Sequence, residues 1–389
     1  MVSTARLRTE RPASVNEAAE IVRAAGGRGL TVRARGGGTK LDWGRPGPRP
    51  DVELLTAGLG RIVEHNAADL TAVVEAGVPL AVAQRTFAEA GQMLALDPPL
   101  GPEDAATVGG VVAVGDSGPL RHRYGALRDL LVGVTAVLAD GTVAKAGGKV
   151  IKNVAGYDLG KLLCGSFGTL GLVAQVAVRL HPLPAGRATA VGSTTDPHAL
   201  QQAVGALAAA SLELESLDLA WGQGSGRVLA RCAGVVPEPR AREAARLMSE
   251  AGVDGEVSEN EEDLWAAQRD RQRVGEGAVV RVSGVPSRLG RIIGAVERAG
   301  GSVVGRAGLG LTWIALRPSP PGDLVGAIQE LRDDLAPLPC VVQGAPLEVR
   351  EKVDVWGRAD GPEVALMRRV KASFDPSGVY NPGVFVGAI

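Results

Sequence analysis

Apolar positions recur at helix and strand spacing in many short segments, which glycine and proline turns separate. In the first part of the chain, Ser14 and Glu17 have the spacing of a helix capping box, and the helix is expected to end at Gly26. A second helix is predicted from Pro79 to about Ala90. Short apolar runs predict strands at Leu30–Ala34, Val52–Leu55, Ile62–His65, Ala72–Glu75 and Leu130–Ala139. Strands and helices do not alternate regularly here, so this part is not of the doubly wound α/β type.

A proline-rich stretch, Leu180–Pro184, marks a change in the pattern and predicts a linker. After it, the order strand, helix, strand, strand, helix occurs twice, which predicts a split β-α-β sheet built twice. The predicted strands are Ala188–Gly192, Leu214–Ala220, Val228–Ala233, Ala278–Val282, Ser302–Arg306, Thr312–Leu316 and Cys340–Gln343. The predicted helices are Pro197–Ala210, Glu238–Ala251, Ser287–Ala299, Leu324–Leu335 and Val364–Phe374.

Composition and charge narrow the class of protein. The chain has 389 residues, of which 45% are hydrophobic and 22% charged, which is enough for two domains with a sizeable core. Lysine and arginine total 42 against 43 acidic residues, so the basic field of a nucleic-acid binder is missing. The longest apolar stretch, Leu130–Ala139, is too short to span a bilayer, and the first residues lack the apolar core of a signal peptide. We therefore expect a soluble, cytoplasmic protein.

The cysteines and histidines do not predict a metal site. Cys164, Cys232 and Cys340 are far apart and too few for a four-thiolate iron–sulfur cluster. The four histidines show no metal-binding spacing, and they are His65, His122, His181 and His198.

Three glycine-rich blocks carry the candidate chemistry. The first follows a predicted strand and consists of Arg35, Gly36, Gly37, Gly38, Thr39 and Lys40. Consecutive glycines let several backbone N–H groups turn toward one anion, although the same pattern also forms a plain turn. The dinucleotide-binding GxGxxG pattern and the phosphate-binding GxxxxGK[ST] pattern are both missing. The residues alone leave both interpretations of the block open.

The second and third blocks also combine glycines with hydroxyl and amide side chains. The second contains Thr107, Gly109 and Gly110, followed by Ser117, Gly118, Tyr124 and Gly125. The third runs from Gly147 to Leu159 and closes with Gly165–Gly171. Close packing of a helix on a strand explains some of these glycines, but it does not explain the Lys152-Asn153 and Tyr157-Asp158 pairs.

The three blocks, in this order, resemble the p-cresol methylhydroxylase-type (vanillyl-alcohol-oxidase-like) FAD-binding family. Within that family the chain is similar to glycolate oxidase E-type subunits. The segment Gly147–Gly171 carries the most specific likeness. The resemblance covers about residues 10–183, is loose through the middle, and returns at Phe374–Gly383.

The resemblance implies an α+β fold in three parts. Residues 1–183 would form a two-subdomain FAD-binding domain. Residues 184–350 would form a cap domain for the substrate, with an antiparallel sheet and helices. Residues 351–389 would form a C-terminal tail that returns to the FAD-binding domain.

The resemblance also implies how FAD would be held. The loop from Arg35 to Lys40 would wrap the pyrophosphate through its backbone. Thr107, Gly109 and Gly110 would line the pyrophosphate and isoalloxazine, and Asn381 would approach the flavin from the tail. The remaining implied contacts are Ser117, Gly118, Tyr124 and Gly125 near the ring, and Gly168, Thr169, Leu170, Gly171 and Val173 at the adenosine end.

Two departures from the family pattern refine this expectation. Many relatives bind flavin covalently through a histidine in the first glycine loop, where this chain has Gly38 and Thr39, so we expect noncovalent FAD. Relatives that oxidise 2-hydroxy acids use two histidines and a carboxylate in the second domain, whereas this chain has no histidine after His198. The catalytic base is therefore unknown. Candidate substrate contacts are Arg231, Arg281 and Glu348, each of which is also well explained as a structural residue.

The implied function is that of a FAD-binding oxidoreductase subunit in a glycolate or 2-hydroxy-acid dehydrogenase complex. It would act on a small-molecule substrate and pass electrons to an iron–sulfur subunit. Alternatively, it would hold FAD as a scaffold while a sister FAD subunit carries out the substrate chemistry. A nucleotide- or phosphate-binding protein without redox function would rest on the first glycine loop alone.

Overall fold

The computed structural model describes residues 7–148, 157–317, 323–357 and 361–389. They form two compact units. The first contains the residues up to Ser117, Gly125–Leu183 and the described residues from 361 onward. The second contains Gly118–Tyr124 and Pro184–Gly357.

Many short elements make up the chain, as the hydrophobic pattern predicts. Up to residue 183 the strands are β1 (Arg8–Glu10), β2 (Val32–Arg35), β3 (Val52–Leu55), β4 (Ile62–Asn66), β5 (Thr71–Glu75), β6 (Gln92–Met93), β7 (Leu131–Val137), β8 (Val143–Gly147), β9 (Leu172–Arg179) and β10 (His181–Pro182). The helices in this range are α1 (Val15–Gly26), α2 (Leu80–Ala88), α3 (Val108–Val114), α4 (Arg121–Tyr124), α5 (Leu127–Leu130) and α6 (Leu159–Leu163).

The later strands are β11 (Gly186–Thr194), β12 (Ser216–Gly222), β13 (Ser225–Gly234), β14 (Asp254–Val257), β15 (Ala278–Ser283), β16 (Ser302–Arg306), β17 (Leu311–Leu316) and β18 (Cys340–Gly344). The later helices are α7 (Pro197–Ala209), α8 (Glu238–Glu250), α9 (Glu261–Asp270), α10 (Leu289–Arg298), α11 (Leu324–Leu335), α12 (Leu347–Lys352) and α13 (Pro362–Phe374).

The described part of the first unit contains two main sheets, each with its own core, and a short antiparallel pair of β10 with β6. Strands β1-β3-β2 form a parallel sheet, and β4-β5-β9-β7-β8 form an antiparallel one. One core combines Phe87 of α2 and Val112 of α3 with Val176 of β9. The other combines Val22 of α1 with Leu54 of β3. This is the α+β, two-subdomain arrangement that the resemblance implies.

The C-terminal residues complete the smaller sheet of the first unit. The N–H of Val32 in β2 donates to the carbonyl of Val379, and the N–H of Asn381 donates back to the carbonyl of Val32. The phenol of Tyr380, which is buried, donates to the carbonyl of Val137 at 2.9 Å. The tail therefore runs beside β2, whose end carries the first glycine loop.

The second unit is built on one eight-stranded antiparallel sheet with the order β14-β11-β13-β12-β16-β17-β15-β18. The four strands from β11 to β14 and the four from β15 to β18 have the same internal order, reversed across the junction of β12 with β16. Helices α7 and α8 contact the first set of strands, and α10 and α11 contact the second.

One face of this sheet is covered by α9. Thr189, Arg231 and Ser216 lie opposite one another on adjacent strands and so share a face. The indole of Trp265 in α9 donates to the hydroxyl of Thr189, and the amide of Gln268 donates to buried Asp218. Helix α9 therefore buries a polar surface of the sheet rather than leaving it open.

Several local expectations need correction. The hydroxyl of Ser14 accepts the N–H of Glu17, but the Glu17 carboxylate accepts the N–H of Ala13, so only half of the capping box is formed. Helices α3 and α9 were not predicted, because glycines interrupt the apolar pattern of α3 and a charged surface conceals that of α9. Among the described helices, none is both long and apolar enough to cross a bilayer.

Candidate functional site

The first glycine loop packs directly against the second block. A Cβ atom on Gly36 would lie 2.1 Å from the hydroxyl oxygen of Thr107, and one on Gly37 would lie 1.7 Å from the carbonyl oxygen of Ala105. Gly38 has φ +73°, which favours glycine. Glycine is thus required here for close contact and for backbone conformation.

The same loop presents unbonded backbone donors. Within the described part of the chain, the N–H groups of Gly36, Gly37 and Gly38 make no hydrogen bond. Gly37 is exposed, and its two neighbours are half-buried, so a ligand can reach the loop. Three successive N–H groups beside the Thr107 hydroxyl are a donor set that suits a phosphate or pyrophosphate.

The side chain of Arg35 lies next to Gly38 of this loop. Its Nη1 atom lies 3.2 Å from the Glu53 carboxylate on the neighbouring strand, and Arg33 lies 2.7 Å from the other oxygen of that carboxylate. Burial alone would raise the pKa of Glu53, but the hydrogen bonds and charges of the two arginines outweigh it and lower the pKa. The Arg35 side chain therefore forms an ion pair that links β2 to β3.

A buried ion pair joins the first block to the second. The ammonium of Lys40 lies 3.6 Å from the carboxylate of Asp116, and both side chains are almost fully buried. The other oxygen of Asp116 accepts the N–H of Ser117 at 2.9 Å. Because the two charges satisfy one another, the pair fixes the loop and carries no net charge.

The glycines of α3 are committed to packing. The N–H of Gly109 donates to the carbonyl of Ala76, and the N–H of Gly110 donates to the Thr107 hydroxyl. A Cβ on Gly109 would lie 2.5 Å from the Cβ of Ala76. These two glycines shape the wall of the candidate site, whereas their N–H groups are already bonded.

The third block meets the C-terminal tail. The side-chain amide of Asn381 donates to the carbonyl of Phe167 at 2.9 Å, and its nitrogen would lie 3.1 Å from a Cβ on Gly168. Thr169 is buried and donates to the carbonyl of Ser166. The structure thus brings Gly168 and Asn381 together, whereas the resemblance implies a contact at the adenosine end for Gly168 and one at the flavin for Asn381. Residues 149–156, which include Lys152 and Asn153, lie outside the described residues.

The side chains at the end of this block face the core. Leu170 and Val173 belong to the core around β9, and Gly171 has φ +155°. Any contact of these residues with a ligand falls to their backbone.

Sequence reasoning missed the lysine that holds the tail. Lys371 in α13 donates to the carbonyl of Thr169 at 2.6 Å and to that of Tyr380 at 2.9 Å, and it also contacts Asp375. Burial lowers the pKa of Lys371, an effect that Asp375 opposes. A lysine in a helix with an acidic residue four positions later resembles an ordinary surface pair, so the sequence held no signal for this role.

Four more of the sequence-predicted residues lie where the chain passes from one unit to the other. Ser117 and Gly125 belong to the first unit, whereas Gly118 and Tyr124 belong to the second. The phenol of Tyr124 donates to buried Glu215 at 3.1 Å.

The three candidate substrate contacts in the second unit lie in different environments. Arg231 is buried, lies 2.8 Å from Glu215 and stacks 4.5 Å from the Trp265 ring centre. Arg281 lies opposite Trp313 within the sheet, and Glu348 is exposed in the first turn of α12. The structure does not bring these three together. Among the described residues, no group of histidines, cysteines and carboxylates is arranged to hold a metal.

Comparison with known protein families gives two matches along the chain. The FAD binding domain family matches residues 8–147, and the family of the C-terminal domain of FAD linked oxidases matches residues 350–385. The chain thus contains one segment that matches the FAD binding domain and one that matches the C-terminal domain of FAD linked oxidases. It is an FAD-dependent oxidoreductase, and the resemblance seen in the glycine blocks is confirmed. The first match contains the first and second glycine-rich blocks.

Proteins similar to this chain include several hydroxy-acid enzymes. An uncharacterised FAD-linked oxidoreductase of Mycobacterium tuberculosis is 27% identical over 97% of the chain and 90% of the relative. Glycolate oxidase subunit GlcE of Escherichia coli is 37% identical over 39% of the chain and 42% of the relative. D-2-hydroxyglutarate dehydrogenase of Xanthomonas citri is 27% identical over 96% of the chain and 87% of the relative.

A solved structure of alkyldihydroxyacetonephosphate synthase has the same fold. The TM-score is 0.69 at 14% identity, and the alignment covers 96% of this chain and 75% of that one. The donor set of the first loop fits the FAD of this family, because the unbonded N–H groups suit its pyrophosphate.

Proposed function

We propose that the chain is the FAD-binding subunit of a glycolate or 2-hydroxy-acid dehydrogenase complex. The observation that supports FAD binding most directly is the first glycine loop itself. Gly36 packs against Thr107, and the N–H groups of Gly36, Gly37 and Gly38 are unbonded in a loop that a ligand can reach. The similarity to a glycolate oxidase subunit supports the choice of substrate class.

In this proposal the described residues hold FAD at three places. The backbone from Gly36 to Lys40 and the Thr107 hydroxyl bind the pyrophosphate. The backbone of Gly168–Val173 lies at the adenosine end, with Asn381 fixing the adjacent carbonyl of Phe167. Ser117 and Gly125 would lie toward the flavin ring. Gly38 and Thr39 stand where relatives have a histidine, so FAD is held without a covalent bond.

When bound, FAD supplies a two-electron acceptor for hydride at N5, and the protein supplies position and electrostatics. The reduced flavin then needs an electron acceptor. Three scattered cysteines are too few for a four-thiolate cluster, so a separate iron–sulfur subunit is the proposed acceptor.

One observation favours the alternative that a sister FAD subunit carries out the substrate chemistry. Arg231, a candidate substrate contact, is buried and paired with Glu215. The chain also has no histidine after His198 to act as a base near neutral pH. In this version the chain still binds FAD, and the substrate is oxidised in the partner.

The absorption spectrum of the purified chain tests both versions. Flavin bands in the visible range support FAD binding, and their absence after reconstitution with FAD contradicts it. Anaerobic addition of glycolate or D-lactate then separates the versions. Bleaching of the bands assigns substrate oxidation to this chain, whereas unchanged bands assign it to a partner.

A further inference from the structure

A short segment of the chain leaves the first unit and is held within the second. Ser117 and Gly125 belong to the first unit, and the residues between them, Gly118–Tyr124, belong to the second. This excursion contains helix α4 and joins the second glycine block to α5. Peptide bonds join its two ends to Ser117 and Gly125 of the first unit.

Three side chains anchor the excursion. The guanidinium of Arg123 donates to the carbonyl of Glu213 at 3.0 Å, and the phenol of Tyr124 donates to the carboxylate of Glu215 at 3.1 Å. The ring of His122 lies against Gly308, where a Cβ would be 2.7 Å from Cε1 of the ring. Of these anchors, only Tyr124 reaches a buried charge.

Glu215 is held by the sheet independently of the excursion. The residue is fully buried, and its carboxylate lies 2.8 Å from Nε of Arg187 and 2.8 Å from Nε of Arg231. Arg231 is itself fixed by Ser216 and by the Trp265 ring. The acceptor for Tyr124 is therefore preorganised.

The electrostatics of Tyr124 and Glu215 keep the phenol protonated and the carboxylate charged at neutral pH. Burial would raise the pKa of Glu215, but the hydrogen bond from Arg187 and the charges of Arg231 and Arg187 together lower it. Burial and the Glu215 charge raise the pKa of Tyr124 to about 12. At neutral pH the phenol thus remains a donor, and Glu215 remains a charged acceptor. A hydrogen bond to a charged group is stronger than one between neutral groups.

We propose that Glu215 is a positioning residue for FAD binding, which acts by holding Tyr124 and thereby the excursion between Ser117 and Gly125. The inference rests on the proposed function, because it assigns the purpose of the anchor to the FAD site. Glu215 touches no ligand in this scheme. It fixes a segment whose two ends lie in the second glycine block.

The test compares Tyr124→Phe and Glu215→Gln with the wild-type full-length chain, each stripped of flavin and titrated with FAD. We expect the dissociation constant for FAD to rise about tenfold in Tyr124→Phe, as for loss of a hydrogen bond to a charged group. The double variant should bind FAD no more weakly than Glu215→Gln alone, because that variant already disturbs the bond to Tyr124 as well as the pairing with Arg187 and Arg231. Gln343→Met is the control, since it removes a buried hydrogen bond to Trp313 in the same unit.

Trypsin provides a readout that does not involve flavin. Well below the melting temperature, cleavage after Arg121 and Arg123 should be faster in both variants than in wild type or Gln343→Met. If wild type binds FAD but the variants bind it equally well and are cleaved at the same rate, the positioning role is wrong. An equal loss of affinity in Gln343→Met would also overturn it. If wild type binds no FAD, the proposed function itself fails.

Discussion

The guanidinium of Arg35 lies next to Gly38, in the glycine loop that follows this arginine. A Cβ on Gly38 would be 3.1 Å from Nε of Arg35, and that arginine is held by its ion pair with Glu53. Any side chain at Gly38 would therefore displace either the arginine or the loop. Gly37 is a less specific probe, because a side chain there would meet the carbonyl of Ala105 and disturb packing generally.

Gly38→Ala should therefore weaken FAD binding. Gly91→Ala is a matched control, because Gly91 has φ +67° and no atom within 4 Å of its Cβ position. Both variants should lose roughly 1–2 kcal/mol of stability from left-handed strain, and only Gly38→Ala should lose flavin. Thermal melting and flavin content of the purified proteins measure the two effects. Equal flavin content in both variants would show that the loop is only a turn.

The attachment of the cofactor is also decided by single residues. The first glycine loop contains neither histidine nor cysteine, so it offers no side chain for a covalent flavin bond. Acid precipitation of the purified protein should release all of the yellow colour into the supernatant. Flavin that stays on the washed, denatured chain would contradict noncovalent binding.

At the scale of elements, the ion pairs between β2 and β3 should make the stability of the protein depend on pH. Arg33 and Arg35 lower the pKa of Glu53 below its ordinary value of 4.5. A depressed folded-state pKa contributes stability above the unfolded value, and the contribution is lost as pH falls through the folded pKa. Glu53→Gln should therefore lower the melting temperature at pH 7 and have a smaller effect at pH below about 4. A difference that is constant with pH would contradict this account.

Most strands and helices could be predicted from hydrophobic spacing, since a half-buried strand or helix must repeat with its own period. The prediction of β3 at Val52–Leu55 and of α11 at Leu324–Leu335 is confirmed to the residue. Helix α3 could not be predicted, because glycine is a poor helix former and the close contact of Gly109 with Ala76 is a tertiary one. The glycine loops were visible in sequence, but the commitment of the Gly109 N–H to Ala76 is a tertiary fact.

At the scale of the whole molecule, contacts between residues far apart in sequence escaped prediction. The ammonium of Lys371 holds the carbonyl of Thr169, about 200 positions away, and the phenol of Tyr124 donates to Glu215. The likeness of the tail to the family predicted that it returns to the FAD site, but not the lysine that holds it. Such contacts depend on chain topology, which local periodicity does not encode.

The route of the electrons is a property of the whole assembly. A flavin that has accepted two electrons must be reoxidised, and the cysteines of this chain are too few and too scattered for a cluster. The nearly balanced charge, net −1, also gives no strong field that would steer a distant acceptor. Reoxidation should therefore depend on a docked partner that places a redox centre near the flavin.

We accordingly expect the isolated chain to show little glycolate-dependent dye reduction. Activity should appear when the chain is co-expressed and co-purified with a sister flavoprotein and an iron–sulfur subunit. The measurement is dye reduction by the complex and by the lone chain at equal flavin content, so that lost cofactor is not mistaken for lost electron transfer. A complex built with Gly38→Ala, which should lack flavin only in this subunit, tests whether this flavin lies on the route. Full turnover by the lone chain would reject the complex and return the substrate chemistry to this subunit.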